Sequence, residues 1–166
     1  MNRNELIKQL IEDEGLKLFP YKCSAGYLTI GVGRNLITNW FSNKELDELG
    51  FTDKNLVPTD IISKLKQTGI TKDQAIYLLN NDIDVVIKQL TTSLQWFNSA
   101  LDIVQQVLAN MCFNLGVGTL LTFKNTLKLI KDGKYDEASV EMLKSKWHND
   151  VGQRAERLSE KLKSIN

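Results

Sequence analysis

Residues 12–34 read EDEGLKLFPYKCSAGYLTIGVGR, a stretch that sets three carboxylates, Glu12, Asp13 and Glu14, a few residues ahead of a single thiol, Cys23. A carboxylic acid kept protonated by an apolar setting can donate a proton, and a thiol can attack or deprotonate once it is ionised. An ordinary thiol has a pKa of about 8.5, so near neutral pH Cys23 needs help from a cation such as Lys22 or Arg34. Other chemistries find few groups. The only histidine is His148, and the second cysteine, Cys112, has no partner at metal-ligand spacing, so no metal site is predicted. The formal net charge is +1, and the basic excess is confined to residues 124–166, with ten Lys/Arg against seven Asp/Glu. That is too weak for a nucleic-acid footprint.

The elements that must position these groups follow from periodicity. In NELIKQLIEDEG, Leu6, Ile7, Leu10 and Ile11 recur at helical spacing, with Asn2 or Asn4 as a cap and Gly15 as the stop. Extending the phase from Ile7 through Ile11 reaches Glu14, which is predicted to project from the buried stripe while Glu12 and Asp13 diverge from it. After Pro20 the residues alternate around Ser24-Ala25-Gly26, predicting a hairpin with Gly26 at positive φ. Gly31 and Gly33 weaken a strand and call for a bulge or a close backbone approach. Residues 35–58 are weakly periodic, with a short helix in TNWFSNKELDELGF and a turn at PTDIISKLKQTG. From Thr71 a capping box with Gln74 opens a long helix of about twenty residues, burying Ala75, Leu78, Leu79, Ile83, Val86, Ile87 and Leu90. Further helices follow in SALDIVQQVLANMCFNLG, TFKNTLKLIKDG, YDEASVEMLKS and QRAERLSEKLKS.

The fold class is therefore α+β, mainly α. A small N-terminal lobe with a β-hairpin, about 15–70, is joined by a helix, about 71–90, to a helical lobe, about 91–166, on which helix 2–14 packs. A ligand cleft is expected between the lobes. With 42% hydrophobic and 25% charged residues the 166-residue chain is long enough for a real core. Its apolar runs are too short to span a membrane, and its charged opening lacks a signal-peptide core, so a cytoplasmic location with free thiols is expected.

Glu14-Gly15-Leu16, Tyr21-Lys22, Gly26 and Thr29-Ile30-Gly31-Val32-Gly33 together resemble the lysozymes of T-even type phages, glycoside hydrolase family 24. The resemblance continues through ITKDQAIYLLNNDID, NMCFNLG, TFKNTL and ASVEMLKSKWHNDVGQRAER, in order and over nearly the whole chain. This chain departs from the family pattern in having Cys23 where an Asp stands and Arg34 where a His stands. It is also longer between Arg34 and Ile70.

The resemblance implies a two-lobed lysozyme-like fold. It also implies a peptidoglycan hydrolase that cleaves the β-1,4 bond between N-acetylmuramic acid and N-acetylglucosamine, without cofactor. Glu14 becomes the acid, with Arg154 beside it. Burial favours its protonated form and the arginine its carboxylate, so the two influences compete. Cys23 takes the second catalytic position as a nucleophile, as a base toward water, or as a neutral thiol that leaves the water to Thr29. Direct participation is favoured, because a small apolar residue would fill the space equally well. Arg34 is matched with Asp82 as an ion pair joining the lobes.

Tyr27, Asn35, Phe113, Asn114, Phe123, Asn125, Thr126 and Asn149 match sugar-binding positions. Trp147 is assigned to the core, His148 to the surface or cleft edge without a nearby partner, and Glu12, Asp13 and Arg157 to a charge cluster. The implied setting is a monomeric phage endolysin in the bacterial cytoplasm that reaches the wall once a holin opens the membrane. The competing expectation is a lysozyme fold that has lost catalysis and only binds peptidoglycan or another protein.

Overall fold

A computed structural model describes residues 1–53 and 55–165. Helix α1 (Arg3–Glu14) starts from Asn2, whose side-chain oxygen accepts from the Glu5 N–H at 3.2 Å, and stops at Gly15 with φ 76°. Three antiparallel strands follow in the order β1 (Lys17–Lys22), β2 (Leu28–Gly31), β3 (Arg34–Asn35). The expected hairpin is present, but β1 begins before Pro20 rather than after it. Pro20 is tolerated because β1 is an edge strand whose register slips between Lys17 and Tyr21.

Helix α2 (Asn43–Glu48) opens with a capping box. Ser42 Oγ accepts from the Glu45 N–H at 3.3 Å, and Glu45 Oε2 accepts from the Ser42 N–H at 2.7 Å. The turn predicted at PTDIISKLKQTG is instead an eleven-residue helix, α3 (Pro58–Thr68). Pro58 sits in its first turn, where a missing N–H costs nothing, and Ile61 and Leu65 bury one face. Helix α4 (Lys72–Ser93) carries both bonds of the Thr71–Gln74 capping box, at 3.1 and 2.9 Å, and buries the predicted stripe, although Ile87 is only half-buried.

Then come a short 3₁₀ turn at Phe97–Ser99 and helices α5 (Asp102–Leu115), α6 (Val117–Leu120), α7 (Lys124–Lys131), α8 (Tyr135–Leu143), α9 (Lys146–Val151) and α10 (Gln153–Lys163). Strand β3 and helices α6 and α9 are too short to have shown a period. The result is a mostly helical chain with a small N-terminal antiparallel sheet, an α+β lysozyme-like fold.

The chain forms two compact units, with boundaries inside α1 and α4. The sheet unit, Leu10–Asp82, packs Ile30, Leu36, Phe41, Phe51, Ile61, Leu65, Ile70, Ala75 and Leu78 into one core. The helical unit comprises Met1–Gln9 and the chain from Ile83 onward, and in it α10 packs on α8, α5 and α9. Small buried residues, Ala138, Ser139, Ala155 and Ser159, bring α8 and α10 close enough for Ser159 Oγ to donate to the Ser139 carbonyl at 3.2 Å. No described helix is long and apolar enough to cross a membrane.

Candidate active site

Glu14 is the last residue of α1 and is half-buried. The helix buries Leu6, Gln9 and Leu10 most deeply, while Ile7 and Ile11 are half-covered. Glu14 therefore continues the flanking row of Ile7 and Ile11, and Asp13 follows the fully buried row of Leu6 and Leu10, contrary to the phase drawn from sequence. The difference is one step of about 100° around the helix, and it leaves Glu14 at the border between core and solvent. Only Glu12 of the three carboxylates is exposed.

What meets Glu14 is the turn between β2 and β3. A methyl group placed on Gly33, at φ 71°, would lie 3.0 Å from Glu14 Oε2 and 3.2 Å from its Cγ and Cδ. The close approach asked of this glycine by the sequence is thus to the carboxyl group of Glu14. A methyl group on Gly31, also at positive φ (67°), would instead meet Ala75 and Ile70 at 3.9 and 4.0 Å.

Cys23 sits at the start of the hairpin turn, with its N–H donating to the Tyr27 carbonyl at 3.0 Å and its own carbonyl accepting from Gly26 at 2.8 Å. The thiol is free and half-buried. Burial pushes its pKa up, but the Tyr27 and Ala25 N–H groups, the Thr29 hydroxyl and its own N–H together outweigh that and bring it below the ordinary thiol value. The help comes from hydrogen-bond donors of the turn, not from Lys22 or Arg34 as the sequence suggested.

Thr29 is buried on β2, and its hydroxyl donates to the Tyr27 carbonyl at 3.0 Å. A single hydroxyl proton serves either Tyr27 O or the sulfur, so Thr29 can turn between them. Tyr21 pairs with Thr29 across β1–β2. Its phenol is pushed up by burial, then by the charges of Glu14 and Cys23, which both act on this one ring. Sequence quoted Tyr21 as part of a motif without giving it a place in the site.

Behind the turn, Arg34 is buried and bridges two carboxylates, with Nη1 2.8 Å from Glu45 Oε1 and Nη2 2.9 Å from Asp82 Oδ1. Asn81 donates to Glu45 Oε1 at 2.9 Å, Asn39 to Asp82 Oδ1 at 2.7 Å, and the guanidinium lies 5.7 Å from the Phe41 ring centre. The predicted Arg34–Asp82 pair is present, and both residues belong to the sheet unit. Glu45, a third member, was missed. Its signal was the Ser42–Glu45 capping box, whose carboxylate uses Oε2 for the cap and Oε1 for Arg34.

Burial pushes the Asp82 carboxyl up, and Arg34 and Asn39 do not fully offset it. Glu45, although burial raises it too, is held below the usual range by Asn81, the Ser42 N–H and Arg34. One guanidinium thus serves one firmly ionised carboxylate and one that protonates more readily.

The remaining predicted residues fall apart into groups. Tyr27 is half-exposed beside the thiol loop, and Asn35 Oδ1 closes a turn by accepting from Ile37 and Thr38 at 2.8 and 3.3 Å. In the helical unit a cavity of about 630 Å³ gathers Phe123, Asn125 and Thr126. Phe113, Asn114 and Asn149 do not line it. Asn114 instead accepts from Trp147 Nε1 at 2.8 Å, and Trp147 meets Phe123 edge to face at 6.2 Å. Trp147 is buried as predicted, yet it also forms a wall of the cavity.

Glu141, Lys144, Lys146 and Asp150, which sequence did not single out, add a polar rim. Arg154 is buried on α10 and donates to Asn110 Oδ1 at 2.8 Å and to its carbonyl at 3.2 Å. His148, for which no partner was expected nearby in sequence, has Nδ1 2.9 Å from the Leu143 carbonyl and Nε2 3.4 Å from Glu156, because α9 turns it back onto both. Among the described residues no group of three His, Cys, Asp or Glu is placed to hold a metal ion.

The family model for phage lysozyme matches residues 11–163. "Probable T4-type lysozyme 1" of Dictyostelium discoideum is 34% identical over 156 residues, covering 92% of this chain and 90% of that protein. "Probable T4-type lysozyme 2" of the same organism is 31% identical over 153 residues, covering 88% and 86%.

Proposed function

The chain belongs to the phage lysozyme family, and we propose that it hydrolyses peptidoglycan at the β-1,4 bond between N-acetylmuramic acid and N-acetylglucosamine. The observation that carries this reading is the close approach of Gly33 to the Glu14 carboxyl, in the same compact unit as the Cys23 turn and the Thr29 hydroxyl. Glycoside hydrolysis needs a proton for the leaving oxygen and a second group that attacks the anomeric carbon or activates water. Protonated Glu14 gives its proton to the glycosidic oxygen as the C–O bond breaks.

Cys23 supplies the second group. As a thiolate it either takes the proton of a water that attacks carbon, inverting the centre, or attacks carbon itself to form a thioglycosyl bond that water then opens, retaining configuration. The donors around its sulfur support a thiolate in either role. Thr29 holds the water, and its mobile hydroxyl proton suits that task. Tyr27 and Asn35 are assigned to sugar binding in the sheet unit, and Phe113, Asn114, Phe123, Asn125, Thr126 and Asn149 in the helical unit. Arg154, Arg34 and Asp82 are assigned supporting roles.

The biological role proposed is that of a phage endolysin, acting as a monomer from the bacterial cytoplasm after a holin admits it to the wall. The Dictyostelium relatives favour a second setting for the same reaction, in a cellular organism. Clearing of membrane-permeabilised bacteria by the purified protein, beside Glu14→Gln and Cys23→Ser, tests the chemistry. Clearing by the parent and none by Glu14→Gln is expected, whereas a parent protein that binds the wall without clearing it would favour the non-catalytic module. Product NMR separates the two thiol routes, the α-anomer meaning inversion and the β-anomer retention.

A further inference from the structure

We propose that the Val32–Gly33 turn is a steric stop for the Glu14 carboxyl, and that Arg34 is the positioning residue that holds this turn in place. The inference rests on Glu14 being the proton donor. The turn joins β2 to β3, with Ile30 paired to Arg34 across it, so any displacement of Arg34 is passed to Gly33 through one peptide bond. Val32 is buried in the middle of the turn and fixes it from one side. Arg34 fixes it from the other through anchors on three separate segments: Glu45 on α2, Asp82 on α4, and the Phe41 ring before α2.

Gly33 is then set so close to Glu14 that even a methyl group would meet Oε2 at 3.0 Å. The carboxyl is confined on that side by backbone, which cannot swing away as a side chain would.

The make-up of the cluster points the same way. One guanidinium serves two buried carboxylates, and among the described residues Arg34 Nε is buried with no hydrogen-bond partner. Buried ion pairs are often matched or surpassed in stability by apolar residues of similar volume. What the planar fork supplies is direction, since its two prongs, Nη1 toward Glu45 and Nη2 toward Asp82, lock the main chain at Arg34 in a way a lysine does not. Misplacing a reacting group by about 1 Å costs on the order of 100-fold in rate.

Arg34→Met and Arg34→Lys, assayed on solubilised peptidoglycan at temperatures where circular dichroism shows them folded, test this with Glu14→Gln alongside. Arg34→Met is expected to lower kcat at least tenfold with KM within about twofold of the parent, and to displace the basic limb of the kcat–pH profile, which reports the proton donor. Arg34→Lys, keeping the charge and losing the fork, is expected to recover part of the loss.

Gly33→Ala pushes directly on Glu14, with added backbone strain at φ 71°, and is expected to give the same kcat loss and pH displacement. It tests the steric stop, and Arg34→Lys decides the role of Arg34 where Arg34→Met does not fold. Folded variants whose kcat and pH profile match the parent, beside an inactive Glu14→Gln, overturn the positioning role alone. Full activity in Glu14→Gln overturns the reading of Glu14 beneath it.

Discussion

At Cys23 and Cys112 the same side chain meets two environments, and each has a measurable consequence. Cys112 is buried in α5 with its thiol pushed up to about 11 by desolvation. Cys23 is half-buried, with donors that pull it below the ordinary value. Alkylation of the native protein at pH 7.5, followed by peptide mass analysis, should therefore label Cys23 and leave Cys112 untouched until the protein unfolds. Comparable labelling of both thiols in the folded state would contradict the placement.

Removing the proposed acid is the larger change. Glu14→Gln keeps the shape and deletes the proton, so kcat should fall by about 10² to 10⁴ with a folded protein. Residue types at this scale were well legible in sequence: the acid at a helix end, the thiol in a turn and the glycines beside them. The exact face of Glu14 was not, because a twelve-residue helix with two adjacent apolar pairs permits two phases, and only packing decides between them.

Among the elements, the Arg34–Glu45–Asp82 cluster makes the clearest energetic statement. Glu45 has its folded pKa lowered, so its contribution is present above its unfolded value and disappears as pH falls through the folded one. Asp82 has its folded pKa raised, so the sign reverses. Its buried carboxyl favours the fold most below its unfolded value, and that advantage is lost as pH rises through the folded one. Glu45→Gln, which removes both a partner of Arg34 and part of the Ser42 cap, should cost about 2 kcal/mol at pH 7.

Asp82→Asn leaves a neutral Arg34–Glu45 pair and should cost less than about 1 kcal/mol. Urea unfolding of the two variants checks the order, and the gap should narrow below about pH 4, where carboxylates protonate. An equal or larger cost for Asp82→Asn at pH 7 would show that both carboxylates are firmly ionised. Sequence exposed half of this cluster. Glu45 was hidden because its partners lie 11 and 36 residues away, though its capping box was in plain view. Helix α3 was hidden for the opposite reason: Pro58 and Asp60 look like a turn, yet they are also what starts a helix.

For the molecule as a whole, long periodic segments such as α4 and α5 were legible because many residues vote for one face, and so was the order of sheet and helices. The cavity in the helical unit was legible only in part. Phe123, Asn125 and Thr126 came from one short run, whereas Glu141, Lys144, Lys146 and Asp150 join them from α8, the segment that follows it and α9, which no local pattern foretells. Family membership carries peptidoglycan hydrolysis as the reading, and the bond broken is its most specific claim. Digestion of purified peptidoglycan, borohydride reduction of the new ends and mass analysis of the sugars test it directly. The parent protein should generate reduced N-acetylmuramic acid ends, and Glu14→Gln should generate none. New ends on N-acetylglucosamine, no new ends from the parent, or equal yields from both proteins would contradict it.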